Sequence, residues 1–328
     1  MPDLYPLARK FLFSLDAETA HHLTMSGAVI ANNLGILAPL TGNSANQNAQ
    51  PVKLMGLTFP NCVGLAAGLD KTGSAVAAFG AMGFGHVEVG TVTPLPQDGN
   101  PSPRLFRLKE HQAIINRMGF NNPGCDGMLE NLKTSTRGFQ GILGINIGKN
   151  AVTPNEEAIS DYLKCMEAVY GQADYITANL SSPNTKGLRD LQNAETLSDL
   201  IQSLQKQRDQ LKESHSGKHV PLVIKIAPDL DQESIASLAQ VFNQTKIDGV
   251  ITTNTTIARE PVKGHTHAEE AGGLSGKPLT EASLQILKWL RADLDSTIPI
   301  IGSGGLMTGD HAQAKLEAGA SLVQIYTG

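Results

Sequence analysis

The residues in this chain that could do chemistry sit at the ends of short apolar runs. They are Ala67-Gly68-Leu69-Asp70-Lys71, Gly90-Thr91, Asn146-Ile147-Gly148-Lys149-Asn150 and Asn179-Leu180-Ser181-Ser182-Pro183-Asn184. Thr253-Asn254-Thr255, Gly302-Ser303-Gly304-Gly305 and Tyr326-Thr327-Gly328 close three more runs. Asn, Ser and Gly are ordinary at loop starts, so one such end says little. Six of them converging on one mouth suit a small planar ligand rich in N–H and C=O groups. Gly302 to Gly305, with a helix opening near Gly309-Asp310, reads as a phosphate cradle, because backbone N–H groups and a helix N-terminus both favour an anion. A second Gly-rich loop, Gly272-Gly273-Leu274-Ser275-Gly276, strengthens that reading. Lys225, inside Leu222-Val223-Ile224-Lys225-Ile226, would be costly to bury unpaired. It is expected to face an anion, where it could stabilise a reduced, negatively charged cofactor; a plain salt bridge is the simpler alternative.

The elements that position these ends alternate. β-rich runs fall at 62–69, 86–92, 141–148, 175–181, 221–227, 249–255, 299–305 and 321–327. Helical patterns lie at 155–170, 193–213, 231–245, 279–294 and 308–318. Alternation of this kind implies parallel strands with right-handed crossovers, and eight strands imply a (β/α)8 barrel with its active site at the strand C-termini. An open doubly wound sheet is the alternative. The connection 93–140 is much longer than a plain crossover needs, which points to a functional loop. A closed barrel also calls for a helix after the eighth strand, and the chain ends at Gly328 without one.

The first 40 residues read differently. Apolar residues at 4, 7, 8, 11, 12 and 15 have helical spacing, with Arg9, Lys10 and Ser14 opposite. Asp16 is placed to cap a second helix from Ala17 to about Asn33, with Leu23, Ala28 and Ile30 on its apolar face. Polar residues from about 41 to 50 read as a linker. The domain reading is therefore 1–40 helical, 41–50 linker and 51–328 barrel.

Composition closes off other classes. With 26 Lys+Arg against 31 Asp+Glu the net charge is −5, which argues against a nucleic-acid partner. Cys62, Cys125 and Cys165 form no C-x-x-C pair, so neither a zinc ribbon nor an iron–sulfur cluster is expected, and no metal. Their odd number and the lack of a signal peptide fit a reducing cytoplasm. None of the nine histidines has a carboxylate or thiol at metal-ligand spacing. No run approaches the ~20 apolar residues of a spanning helix.

At these residues the chain resembles the dihydroorotate dehydrogenases, in their membrane-associated, quinone-linked class 2 form. The strings that carry the resemblance are Ala67-Gly68-Leu69-Asp70-Lys71, Asn116-Arg117-Met118-Gly119-Phe120, Asn179-Leu180-Ser181-Ser182-Pro183-Asn184-Thr185, Thr253-Asn254-Thr255, Gly272-Gly273-Leu274-Ser275-Gly276 and Gly302-Ser303-Gly304-Gly305. The resemblance implies oxidation of dihydroorotate to orotate in pyrimidine synthesis. A base removes the C5 proton, hydride passes from C6 to FMN, and quinone reoxidises the flavin. Ser182 is implied as the base; the soluble class 1 relatives carry Cys there, and they and a non-catalytic flavin-binding barrel are the rival readings. Lys71, Asn116, Arg117, Met118, Gly119, Phe120, Asn179, Asn184, Asn254 and Thr255 are implied for substrate. Ala67, Gly68, Leu69, Asp70, Lys71, Thr91, Asn146, Asn179, Lys225, Thr253, Gly276, Gly305, Tyr326 and Thr327 are implied for one FMN per chain. The insertion 93–140, which holds Asn116 to Phe120, becomes an active-site lid. Arg107 is implied near the quinone. The N-terminal helices are implied to lie on the cytoplasmic face of the inner membrane, holding a peripheral enzyme, and sparse aromatics suggest a monomer.

Overall fold

A computed structural model describes residues 5–41, 49–185 and 187–328. Leu4 of the first helical pattern and residues 42–48 of the expected linker lie outside them.

Eight parallel strands close into a barrel in the order β3 (Val63–Leu65), β4 (His86–Val92), β7 (Ile142–Ile147), β8 (Tyr175–Asn179), β9 (Leu222–Ile226), β10 (Gly249–Thr252), β12 (Ile300–Ser303) and β13 (Leu322–Ile325), with β13 pairing back onto β3. The expected (β/α)8 barrel is therefore the fold, and the open sheet is excluded. Outer helices α4 (Val76–Ala81), α5 (Gly124–Ser135), α6 (Ala158–Val169), α7 (Ala194–Ser214), α8 (Gln232–Thr245), α9 (Thr280–Asp293) and α10 (Gly309–Glu317) cover it. Side chains alternate across each strand. Outward positions such as Val87, Val89, Leu143, Ile145, Ile176, Leu222 and Ile224 join the core beneath the helices. Inward positions build layers. The lowest layer is Tyr175, Val223, Ile251, Ile301 and Leu322, sealed by Phe59 from the hairpin β1 (Val52–Leu54) and β2 (Leu57–Phe59). His86 also lies there, its ring 5.4 Å from that of Phe59 and over Gly64, the only residue type that leaves room for it.

The 93–140 insertion resolves into two parts. Strands β5 (Leu105–Leu108) and β6 (Ala113–Asn116) form an antiparallel pair, and α5 is the crossover helix to β7. Gly273–Gly276, expected as a loop, is instead a strand, β11, that pairs with β6. Sequence reading missed this sheet because its strands come from two distant insertions, and four residues show too little periodicity.

At the N-terminus α1 (Tyr5–Leu12), α2 (Ala17–Asn33) and α3 (Leu37–Thr41) precede the barrel. Asp16 caps α2, accepting from the Glu18 and Thr19 amides at 3.0 Å each. The face of α2 that packs on the barrel carries Ala20 and Ala28, with Met25 and Val29 alongside. Leu23 and Ile30, expected on one apolar face with Ala28, are instead 48% and 59% exposed, as Ala20 and Ala28 bring the helix close on its other side.

Candidate active site

The strand ends surround a cavity at the C-terminal mouth of the barrel, about 880 Å³ with its open mouth included. β3 and the turn after it supply Ala67, Gly68 and Lys71; β4 supplies Thr91; β8 and its loop supply Asn179, Ser182 and Asn184; β9 supplies Lys225. Thr253, Asn254 and Thr255 follow β10, Gly276 ends β11, Gly305 follows β12, and Tyr326 and Thr327 follow β13. The insertion closes one side with Asn116, Met118, Gly119 and Phe120.

Four amides are tied together in pairs. Asn184 Nδ2 donates to Asn116 Oδ1 at 3.3 Å, and Asn254 Nδ2 donates to Asn179 Oδ1 at 3.3 Å. Asn179 in turn donates to Thr91 Oγ1 at 3.0 Å. The Ser182 hydroxyl oxygen accepts the Asn184 amide at 3.2 Å, which leaves its proton directed elsewhere. Lys71 donates to the Gly68 carbonyl at 2.6 Å. Burial, then the nearby Arg104 charge, pulls its pKa down to about 8 against the opposing pull of Glu18 and Asp70. Lys225 is 5% exposed and finds no hydrogen-bond partner among the described residues. Burial lowers its pKa, and Glu88 opposes that. A buried, unpartnered ammonium at a cavity wall is a site for an anionic or electron-rich ligand group. Burial pushes Tyr326 up to about 12, so its hydroxyl stays protonated at the rim.

At the far end Gly304 and Gly305 have φ of 87° and 71°, left-handed values that favour glycine. They turn the chain from β12 into α10, whose cap Thr308 accepts from the His311 amide. A tight glycine turn running into a helix N-terminus suits a phosphate.

Several expected residues lie elsewhere. Asn146 sits one layer below the cavity, accepting from Thr91 Oγ1 at 2.5 Å. Asp70 turns its carboxylate to the amides of Ser74 and Ala75, and with Leu69 it lines a second cavity instead. Arg117 points away, paired with Glu270 at 2.6 Å and stacked on Phe106. Arg107 lines neither cavity: its guanidinium lies 4.9 Å over the Phe13 ring and donates to the Leu15 carbonyl. Walls that sequence reading missed are Ala66, Pro183, Ser275, Leu279, Ser303, Gly304, Leu306, Met307, Gln324 and Gly328. Pro183, Ser275, Ser303, Gly304 and Gly328 lay within motifs already singled out. Gln324 carried a period-2 signal, since it shares the inward face of its strand with Tyr326.

The second cavity, about 920 Å³ with its open mouth included, lies between α2 and the turn after β3. His21, Met25, Val29 and Ile30 form its helix side, and Lys71 and Met118 line both cavities. Burial, then Lys71, lowers His21 to about 4, which keeps it neutral. Arg104 locks α2 in place by gripping Glu18 through Nε at 3.0 Å and a terminal nitrogen at 2.6 Å. Among the described residues no group of His, Cys, Asp or Glu could hold a metal ion.

A family model described as dihydroorotate dehydrogenase matches residues 50–328. The chain belongs to the dihydroorotate dehydrogenase family. A dihydroorotate dehydrogenase (quinone) of Chromobacterium violaceum is 54% identical over 325 residues, covering 99% of this chain and 93% of that one. One from Neisseria meningitidis serogroup C is 54% identical, covering 99% and 95%, and one from Saccharophagus degradans is 53% identical, covering 99% and 94%. The crystal structure of a dihydroorotate dehydrogenase from Eimeria tenella in complex with ferulenol has a TM-score of 0.85 at 40% identity, covering 94% of this chain and 85% of that one. Its ligand-free form has a TM-score of 0.80 at 40% identity, covering 89% and 88%.

Proposed function

We propose that the first cavity holds FMN and dihydroorotate together, with Ser182 as the base, and that the second receives the quinone. The chain oxidises (S)-dihydroorotate to orotate in pyrimidine synthesis, with a quinone as final electron acceptor. The observation that carries the site reading is the convergence of Ser182, Lys71 and four amides on one cavity that also exposes an unpartnered Lys225.

The residues present fit FMN. The Gly304-Gly305 turn and the α10 N-terminus would take the phosphate, Lys225 the electron-rich end of the ring, and Ala67, Gly68, Thr91, Thr253, Gly276, Tyr326 and Thr327 its faces and edges. The chemistry a bound flavin supplies is acceptance of hydride from the substrate C6. Lys71 sets the substrate carboxylate. Asn116, Asn179, Asn184 and Asn254, with Thr255, hold its imide, amide against amide. Ser182 Oγ takes the C5 proton. A serine hydroxyl is a weak base at neutral pH, and no basic side chain is hydrogen-bonded to Oγ among the described residues. The proton therefore passes onward to water, and reduction should quicken as pH rises.

Membrane attachment is supported by exposed apolar side chains in and between the first three helices. Phe11, Leu23, Ile30, Leu34 and Ile36 are all exposed there. Burying about five such side chains in a lipid interface is worth roughly 5–10 kcal/mol before ordering costs. Among the described residues no helix is long and apolar enough to cross a membrane. We read residues 1–40 as a peripheral membrane and quinone-access unit on the cytoplasmic face of the inner membrane, joined to a monomeric barrel.

The test is Ser182→Ala in anaerobic stopped flow. The variant should keep FMN and bind orotate while flavin reduction by dihydroorotate falls about 10²–10⁴-fold. Near-native reduction would remove Ser182 from this role.

A further inference from the structure

Glu88 lies on the inward face of β4 with no solvent exposure. Its carboxylate accepts four hydrogen bonds: from Asn146 Nδ2 at 2.7 Å on one oxygen, and on the other from Tyr175 Oη at 2.9 Å, Gln324 Nε2 at 2.9 Å and Thr177 Oγ1 at 3.2 Å. Burial and the Glu88 charge both push the Tyr175 phenol well up, so that hydroxyl remains a donor. A carboxylate only accepts. With Asn146 Nδ2 committed to it, Asn146 Oδ1 must face upward, where it takes the Thr91 hydroxyl proton at 2.5 Å. Thr91 Oγ1 can then only accept on its free side, and Asn179 Nδ2 donates to it at 3.0 Å. Asn179 Oδ1 is thereby left for Asn254 Nδ2 at 3.3 Å and for the Ser181 amide and hydroxyl at 3.2 and 3.1 Å. Every link agrees in direction from the barrel core to the cavity floor.

We propose that Glu88 is a positioning residue for the active site: through Asn146 and Thr91 it fixes which end of the Asn179 amide meets the ligand. Glu88 touches neither cavity. It acts by closing the lower end of a one-way chain whose upper end, Asn179 and Asn254, lines the site. The inference rests on the reading of that cavity as the flavin and dihydroorotate site.

The test is a double-mutant cycle of E88Q and N146D, made in the full chain with added FMN. Two readouts are taken: the thermal midpoint without ligand, and orotate affinity from the change in the flavin spectrum. N146D alone sets two carboxylates against each other. In the double variant the new side-chain amide at position 88 donates to the new carboxylate at position 146. The side-chain carbonyl at position 88 keeps the three other donors, and the carboxylate at position 146 still accepts from Thr91. The expected result is that N146D weakens orotate binding at least about tenfold, that E88Q recovers most of that loss, and that the midpoint recovers with it. A double variant no better than N146D, in affinity or in soluble yield, overturns the chain. Recovery of the midpoint without recovery of affinity overturns the positioning role and leaves Glu88 a structural residue only. If the native protein binds neither FMN nor orotate, the functional reading itself has failed, and the midpoints still report the chain separately.

Discussion

Lys71 offers a sharp functional test, because its charge is expected to change within a workable pH range. Its side chain is half-buried where two cavities meet, and it keeps one hydrogen bond, to the Gly68 carbonyl. With its pKa pulled to about 8, the side chain is charged below that value and neutral above it. The protonated fraction is then about ten elevenths at pH 7 and about one eleventh at pH 9, a ratio of about ten. If the ammonium holds the ligand carboxylate, orotate affinity should fall about tenfold over those two pH units. The assay is an orotate titration of the oxidised enzyme, followed by flavin absorbance at pH 7, 8 and 9. Lys71→Gln supplies the control: it should bind about 10–100-fold more weakly at pH 7, the cost of losing a charged hydrogen bond, and with little pH dependence. Because Ser182 chemistry should quicken with pH, kcat/KM for dihydroorotate should pass through a maximum. A flat native titration, or the same slope in Lys71→Gln, would refute the assignment.

Other outcomes follow from the same structure. Burial holds His86 at about 3, against 6.5 when unfolded, so the unfolded chain binds an extra proton between those values and stability falls as pH drops below about 6.5. By pH 5 that costs about 2 kcal/mol, or about 3 °C in Tm for a chain of this size. In His86→Leu the Tm difference between pH 7 and pH 5 should shrink by that amount, and an unchanged difference would contradict it. Replacing the exposed Phe11, Leu23 and Leu34, which lie outside the second cavity, with Ser should leave Tm near native but weaken binding to anionic vesicles by at least about 100-fold. Quinone turnover on vesicles should fall with it while anaerobic flavin reduction holds; retained vesicle binding would sink the membrane reading.

The barrel was legible because helical patterns alternate with the strands and the strands are buried on both faces, so that runs such as 222–226 are nearly all apolar. The strand ends were legible for the opposite reason: Ser182, Asn254 and Lys71 break the apolar pattern where an active site is due. What escaped was the layer between. Glu88, Thr177 and Gln324 are inward polar residues below the strand ends, and isolated positions of that kind form no motif. The β5–β6–β11 sheet escaped because its pairing is long-range. The side of α2 that packs on the barrel escaped because alanines do the packing, and alanine marks no face. Arg107 and Arg104 differ by three residues on one strand and its approach, and only the contact with Glu18 tells which of them holds α2.

The most direct measurement is an anaerobic absorbance spectrum of the purified protein with bound flavin, before and after dihydroorotate is added without quinone. The flavin band should bleach on addition of dihydroorotate and return on addition of a quinone. A flavin band that persists in the presence of dihydroorotate would contradict the assignment of Ser182, Lys71 and the four amides to a working dehydrogenase site.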